Sequence, residues 1–361
     1  MNMNMGASQV ENQMFAGLSG TIIVGDDRTL LPPALQNITT HTLELKDIQI
    51  DSTEHILQNV GLIGINPQNP SVRLVNGMLQ PVISMQPGET QLWRIVNAGA
   101  DISYHLTMAG YSFDVISEDG QPVASAWTAT DLLMPPARRF DVLVTASLTG
   151  GTASLQTNAM STGPAGFTYP TAPIATVDVA GTPQLPAPSV TGAMAGAAPD
   201  LSNAPLAQRR TLTLTENNNG MYINGKSFDF NQSIFDTPAV LGTVEEWKII
   251  NATGEIHPFH LHTSSFQVMS INGVAQPYRG AQDVEPVPYQ VNKTSGNIVI
   301  RVAFNDYTGR YMFHCHIAGH EDFGMMSFIN VVAAPTAPPA SATAATPAAP
   351  VASTTSSTSA Q

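Results

Sequence analysis

His314-Cys315-His316 alternates imidazole and thiol over three consecutive positions, and His320 and Met325 follow closely. A second cluster, His257-Pro258-Phe259-His260-Leu261-His262, lies upstream. Six of the nine histidines therefore sit in two short windows, one of which holds the only cysteine. A lone cysteine is ordinarily a buried, inert thiol. Flanked by imidazoles and a thioether it belongs to a soft ligand set, and such a set suits copper. Structural zinc takes imidazole and thiolate, but a thioether at Met325 argues against it. The remaining histidines are too nitrogenous a set for magnesium or calcium.

Along a strand, alternate side chains face opposite sides. Cys315 then points one way while His314 and His316 point the other. His260 and His262 share one parity and His257 has the other. Two opposed sites follow. One collects Cys315 and His257, and the loop after the strand returns His320 and Met325 to it. Two imidazoles, a thiolate and a weak axial thioether form the blue-copper electron-transfer arrangement. The other site collects His260, His262, His314 and His316. An electron leaving the thiolate would cross to that second site through the short backbone segments on either side of Cys315.

The elements that position these residues read as all-β. Thr42–Ile50, Gln91–Val96 and Arg139–Val144 alternate like half-buried strands. Asn76-Gly77, Pro87-Gly88, Asp119-Gly120 and Pro135-Pro136 punctuate them as turns or breaks. Many short strands separated by turns favour β-sandwiches. A first strand-rich unit spans about 32–165 and a second spans 210–332, joined by a connecting segment at 166–209. The units look like distant repeats. Asn76-Gly77 precedes a strand bearing Trp93 and closing on Asn97; Asn224-Gly225 precedes one bearing Trp247 and closing on Asn251. His41, His55 and His105 lack neighbouring ligands and read as structural. Residues 333–361 carry no charge and no aromatic ring, and are expected to be disordered.

Bulk properties narrow the partners. A net charge of −13 with only 11% charged residues disfavours nucleic acid. No apolar run approaches the length of a membrane span, and no signal segment is visible at the start.

These segments resemble the carboxy-terminal part of a three-domain, laccase-like multicopper oxidase of bacterial type, built from cupredoxin-like Greek-key β-sandwiches. The resemblance rests on His-Pro-Phe-His-Leu-His and on His-Cys-His-Ile-x-x-His-x-x-x-Gly-Met, both highly specific. It implies that His257, Cys315 and His320 bind a type 1 copper, with Met325 axial. It implies that His260 serves a type 2 copper and that His262, His314 and His316 serve a type 3 pair. Glu321 resembles the acid that relays protons to oxygen; an equal reading is that it orients a ligand. The unit at 32–165 resembles the middle domain, which has no copper ligands, and 1–31 resembles a remnant of the first.

What the resemblance implies is one-electron oxidation of a small reducing substrate, a phenol-like molecule or a metal ion, coupled to reduction of dioxygen to water. The family carries two His-x-His pairs in its first domain, and this chain has none before His41. The expectation is a chain lacking most of that domain, which would have to be supplied for a complete trinuclear cluster. An extracytoplasmic home, periplasmic or secreted, fits the charge-free tail. A nitrite-reductase-like protein would not need both His314 and His316, and a cupredoxin-type electron carrier would leave His260 and His262 idle. A trimer sharing ligands between copies would need more than isolated histidines in the first unit.

Overall fold

A computed structural model describes residues 10–25, 27–56, 71–187, 190 and 193–335. Residues 1–9 of the expected first-domain remnant and the tail beyond 335 lie outside the described residues. Strands dominate, as the alternating segments require, and they form two sandwiches of the same plan.

In the first sandwich, Thr40–Gln49, Thr90–Asn97 and Arg139–Thr145 form the middle of a seven-stranded sheet. Opposite it lie Val82–Met85, Ala172–Val179, Gly151–Thr157, Tyr104–Met108 and Asp131–Met134, in that order. Trp93, Leu92, Ile95, Phe113, Val142, Leu155 and Val177 fill the space between. In the second sandwich, Leu206–Asn217, Thr243–Asn251 and Gly296–Phe304 are central strands of a six-stranded sheet. The facing sheet runs Ala239–Val240, Met326–Val332, Gly309–Cys315, His257–Leu261, Val284–Val287. Trp247, Phe259, Phe304 and Phe313 are fully buried between them. Each large sheet contains one parallel pair, Thr40–Gln49 with Thr90–Asn97 and Leu206–Asn217 with Thr243–Asn251. Parallel neighbours cannot be joined by a tight hairpin, so the connecting chain travels elsewhere before returning.

The repeat suggested by Asn-Gly, Trp and Asn extends to individual hydrogen bonds. Asn76-Gly77 and Asn224-Gly225 both turn through positive φ, the backbone that Asn and Gly tolerate best. Asn97 donates to the carbonyls of Ile102 and Met134, and Asn251 donates to those of Glu255 and Val287. Trp93 and Trp247 each donate to the side chain two residues earlier.

Register explains why only one sandwich carries the ligands. Cys315 lies opposite Phe259, and Thr157 lies opposite Leu106. Tyr104 and Thr157 therefore stand where the second sandwich has His257 and Cys315. Likewise Thr107 and Gln156 stand opposite each other where it has His260 and His314.

One expectation is corrected. The segment expected to connect the units contributes Ala172–Val179, which pairs with Gly151–Thr157 and belongs to the first sandwich's core. Its alternation was obscured by the Pro and Gly on both sides. The all-β expectation holds: among the described residues the α-helices are only Val10–Phe15 and Ala318–Asp322, both too brief to show a helical period.

Asp47 gives one prediction. It is fully buried, neither carboxyl oxygen has a partner beyond its own backbone amide, and burial lifts its pKa to about 7, assisted by Asp101. A raised acid stabilises the fold fully below its unfolded value, near 4, and that contribution is lost as pH rises through about 7. Asp47→Asn should therefore gain roughly 2–4 kcal/mol relative to wild type on going from pH 4 to pH 8. Thermal melts at both pH values check this; an equal offset at both would refute it.

Candidate metal centre

The strand Gly309–Cys315 runs antiparallel between Met326–Val332 and His257–Leu261. Its last two residues separate the chemistry. Cys315 shares a face with Phe259 and points into the core, whereas His314 lies directly opposite His260 on the other face. Beyond the strand, the short helix Ala318–Asp322 turns the chain back, so His320 reaches Cys315. The backbone carbonyl of Met325 accepts from the Cys315 amide at 3.1 Å, and Met325 is buried in the same core.

On the core side three donor atoms converge. Cys315 Sγ lies 3.5 Å from His257 Nδ1 and 3.6 Å from His320 Nδ1, and the two Nδ1 atoms are 3.1 Å apart. A point equidistant from all three lies about 2.0 Å from each, the length of an ordinary metal–imidazole bond. The far sides of the rings are anchored. Thr253 gives its hydroxyl proton to Asn251 Oδ1, so its oxygen accepts from His257 Nε2 at 2.8 Å. That leaves the His257 Nδ1 lone pair bare toward the sulfur. His320 Nε2 faces Glu255 Oε2 at 3.6 Å, too long for a strong hydrogen bond but a favourable polar contact. Thr162, from the first sandwich, holds Glu255 Oε1 at 3.0 Å.

Burial sets the protonation. It depresses His257, with His320 adding repulsion, and it lowers His320 to about 4. Both rings are neutral at ordinary pH, the form that ligates a metal. Burial also pushes the Cys315 thiol up. An apolar core alone would keep it protonated; a cation between the three atoms would favour the thiolate.

On the other face all four imidazoles gather. His262 Nε2 and His314 Nε2 are 3.0 Å apart, and ring centroids of His260 lie 4.8 Å from His262, 5.4 Å from His314 and 5.3 Å from His316. His314 Nδ1 donates to the Cys315 carbonyl at 3.0 Å and faces Glu321 Oε2 at 3.1 Å. Its Nε2 is thus the free ligand atom. His316 Nδ1 is buried without a hydrogen-bond partner, an expensive state unless something else coordinates it. Burial drives His316 to about 3 and, aided by His260, drives His262 to about 4. The outer edge of this cluster is open, since His262 is exposed and His260 and His316 are half-buried.

Every expected ligand except Met325 is thus brought to one of two clusters by a side-chain atom, and Met325 adjoins Cys315 through its backbone. Glu321 touches His314, the contact expected of an orienting residue. His105 instead pairs with Asp131 at 2.7 Å, and among the described residues His41 and His55 join neither cluster. Sequence reasoning missed Thr253 and Glu255. They lie in the bend before the strand His257–Leu261, where strand parity does not apply, so the sequence carries no clear signal for them.

Two family models, each described as multicopper oxidase, match residues 39–168 and 202–334, most of the chain. The chain belongs to the multicopper oxidase family. This multicopper oxidase is 29% identical over 286 residues to a laccase of Bacillus subtilis (strain 168), covering 70% of this chain and 53% of that relative. It is 29% identical over 266 residues to the multicopper oxidase mco of Staphylococcus haemolyticus (strain JCSC1435), covering 72% and 52%. The chain spans about half the length of these curated relatives. Among solved structures, the McoA multicopper oxidase from the hyperthermophile Aquifex aeolicus superposes with a TM-score of 0.76 at 23% identity, covering 90% of this chain and 73% of that one. A multicopper oxidase from Campylobacter jejuni, described as a metallo-oxidase, gives 0.69 at 24%, covering 82% and 65%. These likenesses establish the all-β, tandem cupredoxin fold. Copper is the cofactor of this family, and His257, Cys315 and His320 fit a type 1 site.

Proposed function

We propose that this chain is the electron-entry and half-cluster portion of a laccase-like oxidase that couples one-electron oxidation of a small reducing substrate to reduction of dioxygen to water. The observation that carries the reading is the division of ligands across one strand. His257, Cys315 and His320 would hold type 1 copper, with Met325 axial. His260 would hold type 2 copper, and His262, His314 and His316 would serve a type 3 pair. Bound copper would supply one-electron redox chemistry at the first site and dioxygen reduction at the second.

The chain's own residues do the positioning. Thr253 keeps the His257 Nε2 protonated, so its Nδ1 faces the sulfur. The Cys315 carbonyl and Glu321 together hold the His314 Nδ1 proton, which turns Nε2 toward His262. Burial raises Glu321 to about 7, with Asp322 adding to the shift. Near neutral pH it can therefore hold or release a proton beside the cluster, so the orienting and relaying roles are compatible in one carboxyl. The bond path from Cys315 Sγ through the main chain to His314 is short and rigid.

Four imidazoles are half of what a trinuclear cluster in this family takes, and they line an open edge. We assign the other half to a first domain bearing two His-x-His pairs. Among the described residues no helix is long and apolar enough to cross a membrane, and on its charge-free tail we place the protein outside the cytoplasm. A copper-loaded sample tests the electron-entry reading. The expected result is an intense band near ~600 nm from thiolate-to-copper charge transfer, bleached by one electron equivalent. Copper bound without that band would rule out the type 1 assignment.

A further inference from the structure

We infer that Asp119, in the first sandwich, is a positioning residue for His260 in the second, acting through the backbone of Asp283 and braced by Arg139. This rests on the reading of His260 as a copper ligand.

Asp119-Gly120 is the turn between Phe113–Glu118 and Gln121–Ala129, and both residues have positive φ, 49° and 76°. The sequence marks it as a turn and nothing more. The carboxylate, however, is wholly buried at the junction of the two sandwiches and every near donor is a fixed one. Oδ2 accepts from the amides of Asp283 at 3.1 Å and Val284 at 3.0 Å and, more weakly, from Arg138 Nη1 at 3.3 Å, while Oδ1 accepts from the Arg139 amide at 3.0 Å. Arg139 then grips the Asp283 carboxylate with both terminal nitrogens, at 2.7 and 2.8 Å, and donates to the Asp119 carbonyl at 2.6 Å. A planar guanidinium held at two points fixes direction as well as distance.

The anchored peptide is the one that matters to His260. Val284 lies opposite His260 in the ladder. The Asp283 carbonyl accepts from the Leu261 amide at 3.1 Å and from His260 Nδ1 at 2.8 Å. The Asp283 carboxylate stands farther from that nitrogen, at 3.5 Å, so the carbonyl is the effective acceptor. With Nδ1 committed as a donor, His260 presents a bare Nε2 to the imidazole cluster. A sandwich without ligands of its own thereby sets the tautomer and aim of a ligand in its neighbour, the task outer-shell partners perform at metal sites.

The test uses the full chain with ¹⁵N-histidine labelling, without added metal, and reads the His260 tautomer from long-range ring couplings. His260→Gln supplies the assignment. Wild type should show the Nδ1-protonated form. Asp119→Asn and Arg139→Gln should each shift the tautomer ratio about tenfold toward Nε2–H, the scale of one weakened hydrogen bond. Arg279→Gln is the control: it removes another contact between the sandwiches, the stacking of Arg279 over Trp127 at 4.1 Å, while leaving Asp119 and Asp283 gripped, and should leave the ratio unchanged. An unchanged ratio in both folded test variants, or the same shift in the control, would overturn the inference. The reading of His260 as a ligand is tested separately. Trace Cu(II) beyond one equivalent, visiting the open cluster transiently, should broaden the His260 ring signals; their persistence would sink that reading whatever the tautomer.

Discussion

Cys315→Ser removes the ~600 nm band completely and weakens copper binding at the core site by at least about a hundredfold. The reason is chemical rather than steric. A serine hydroxyl fits the space but supplies no thiolate, and two neutral imidazoles alone give neither the charge-transfer band nor the soft donor that cuprous copper prefers. The fold should survive, since the thiol makes no strong hydrogen bond, and its burial costs little to replace. A melt close to that of wild type, together with loss of the band and of one copper per chain, is the expected pair of results. A blue copper signal retained in the serine variant would remove Cys315 from the account.

Dioxygen uptake by the copper-loaded chain alone should stay near background and rise at least about a hundredfold when a first domain bearing two His-x-His pairs is supplied; loss of even outer-shell support at a metal site commonly costs ten- to a hundredfold. The open edge of the imidazole cluster is where that domain would sit. An exposed apolar run lies in the segment that would join it, with Leu18 at 71%, Ile22 at 88% and Val24 at 91% exposure, an arrangement that soluble surfaces seldom leave uncovered. In the supplied complex, His314→Ala should return uptake to background while sparing the blue band. Full turnover by the chain alone would overturn the assignment of the missing ligands to another domain.

Much of this site is legible in the sequence because strand parity is a two-state variable. Once His314-Cys315-His316 is taken as extended, the thiol and the imidazoles must part, and the same holds for His257 against His260 and His262. Trp and Asn at matching places betray the repeat for a similar reason, since each makes a local bond within a few residues. What stays hidden depends on contacts between distant segments. Ala172–Val179 is a short alternating run among Pro and Gly, and its membership of the first sandwich comes from pairing with Gly151–Thr157. Phe15–Val24, within the 1–31 segment expected to be a remnant of the first domain, begins in a helix and has no strand partner among the described residues. The grip of Asp119 on Asp283 spans 164 positions, and no local pattern could reveal it. Thr253 and Glu255 lie in the bend before His257–Leu261, beyond the reach of strand parity, and are of types common in any turn.

Anomalous diffraction at the copper edge from crystals of the copper-loaded chain bears most directly on the ligand arrangement. The expected map has one strong peak bonded to Cys315 Sγ and to Nδ1 of both His257 and His320, with His314 and His316 directed away from it toward His260 and His262. A copper peak with Cys315 unbound, or His314 and His316 turned into solvent, would contradict the division of one strand between two metal sites.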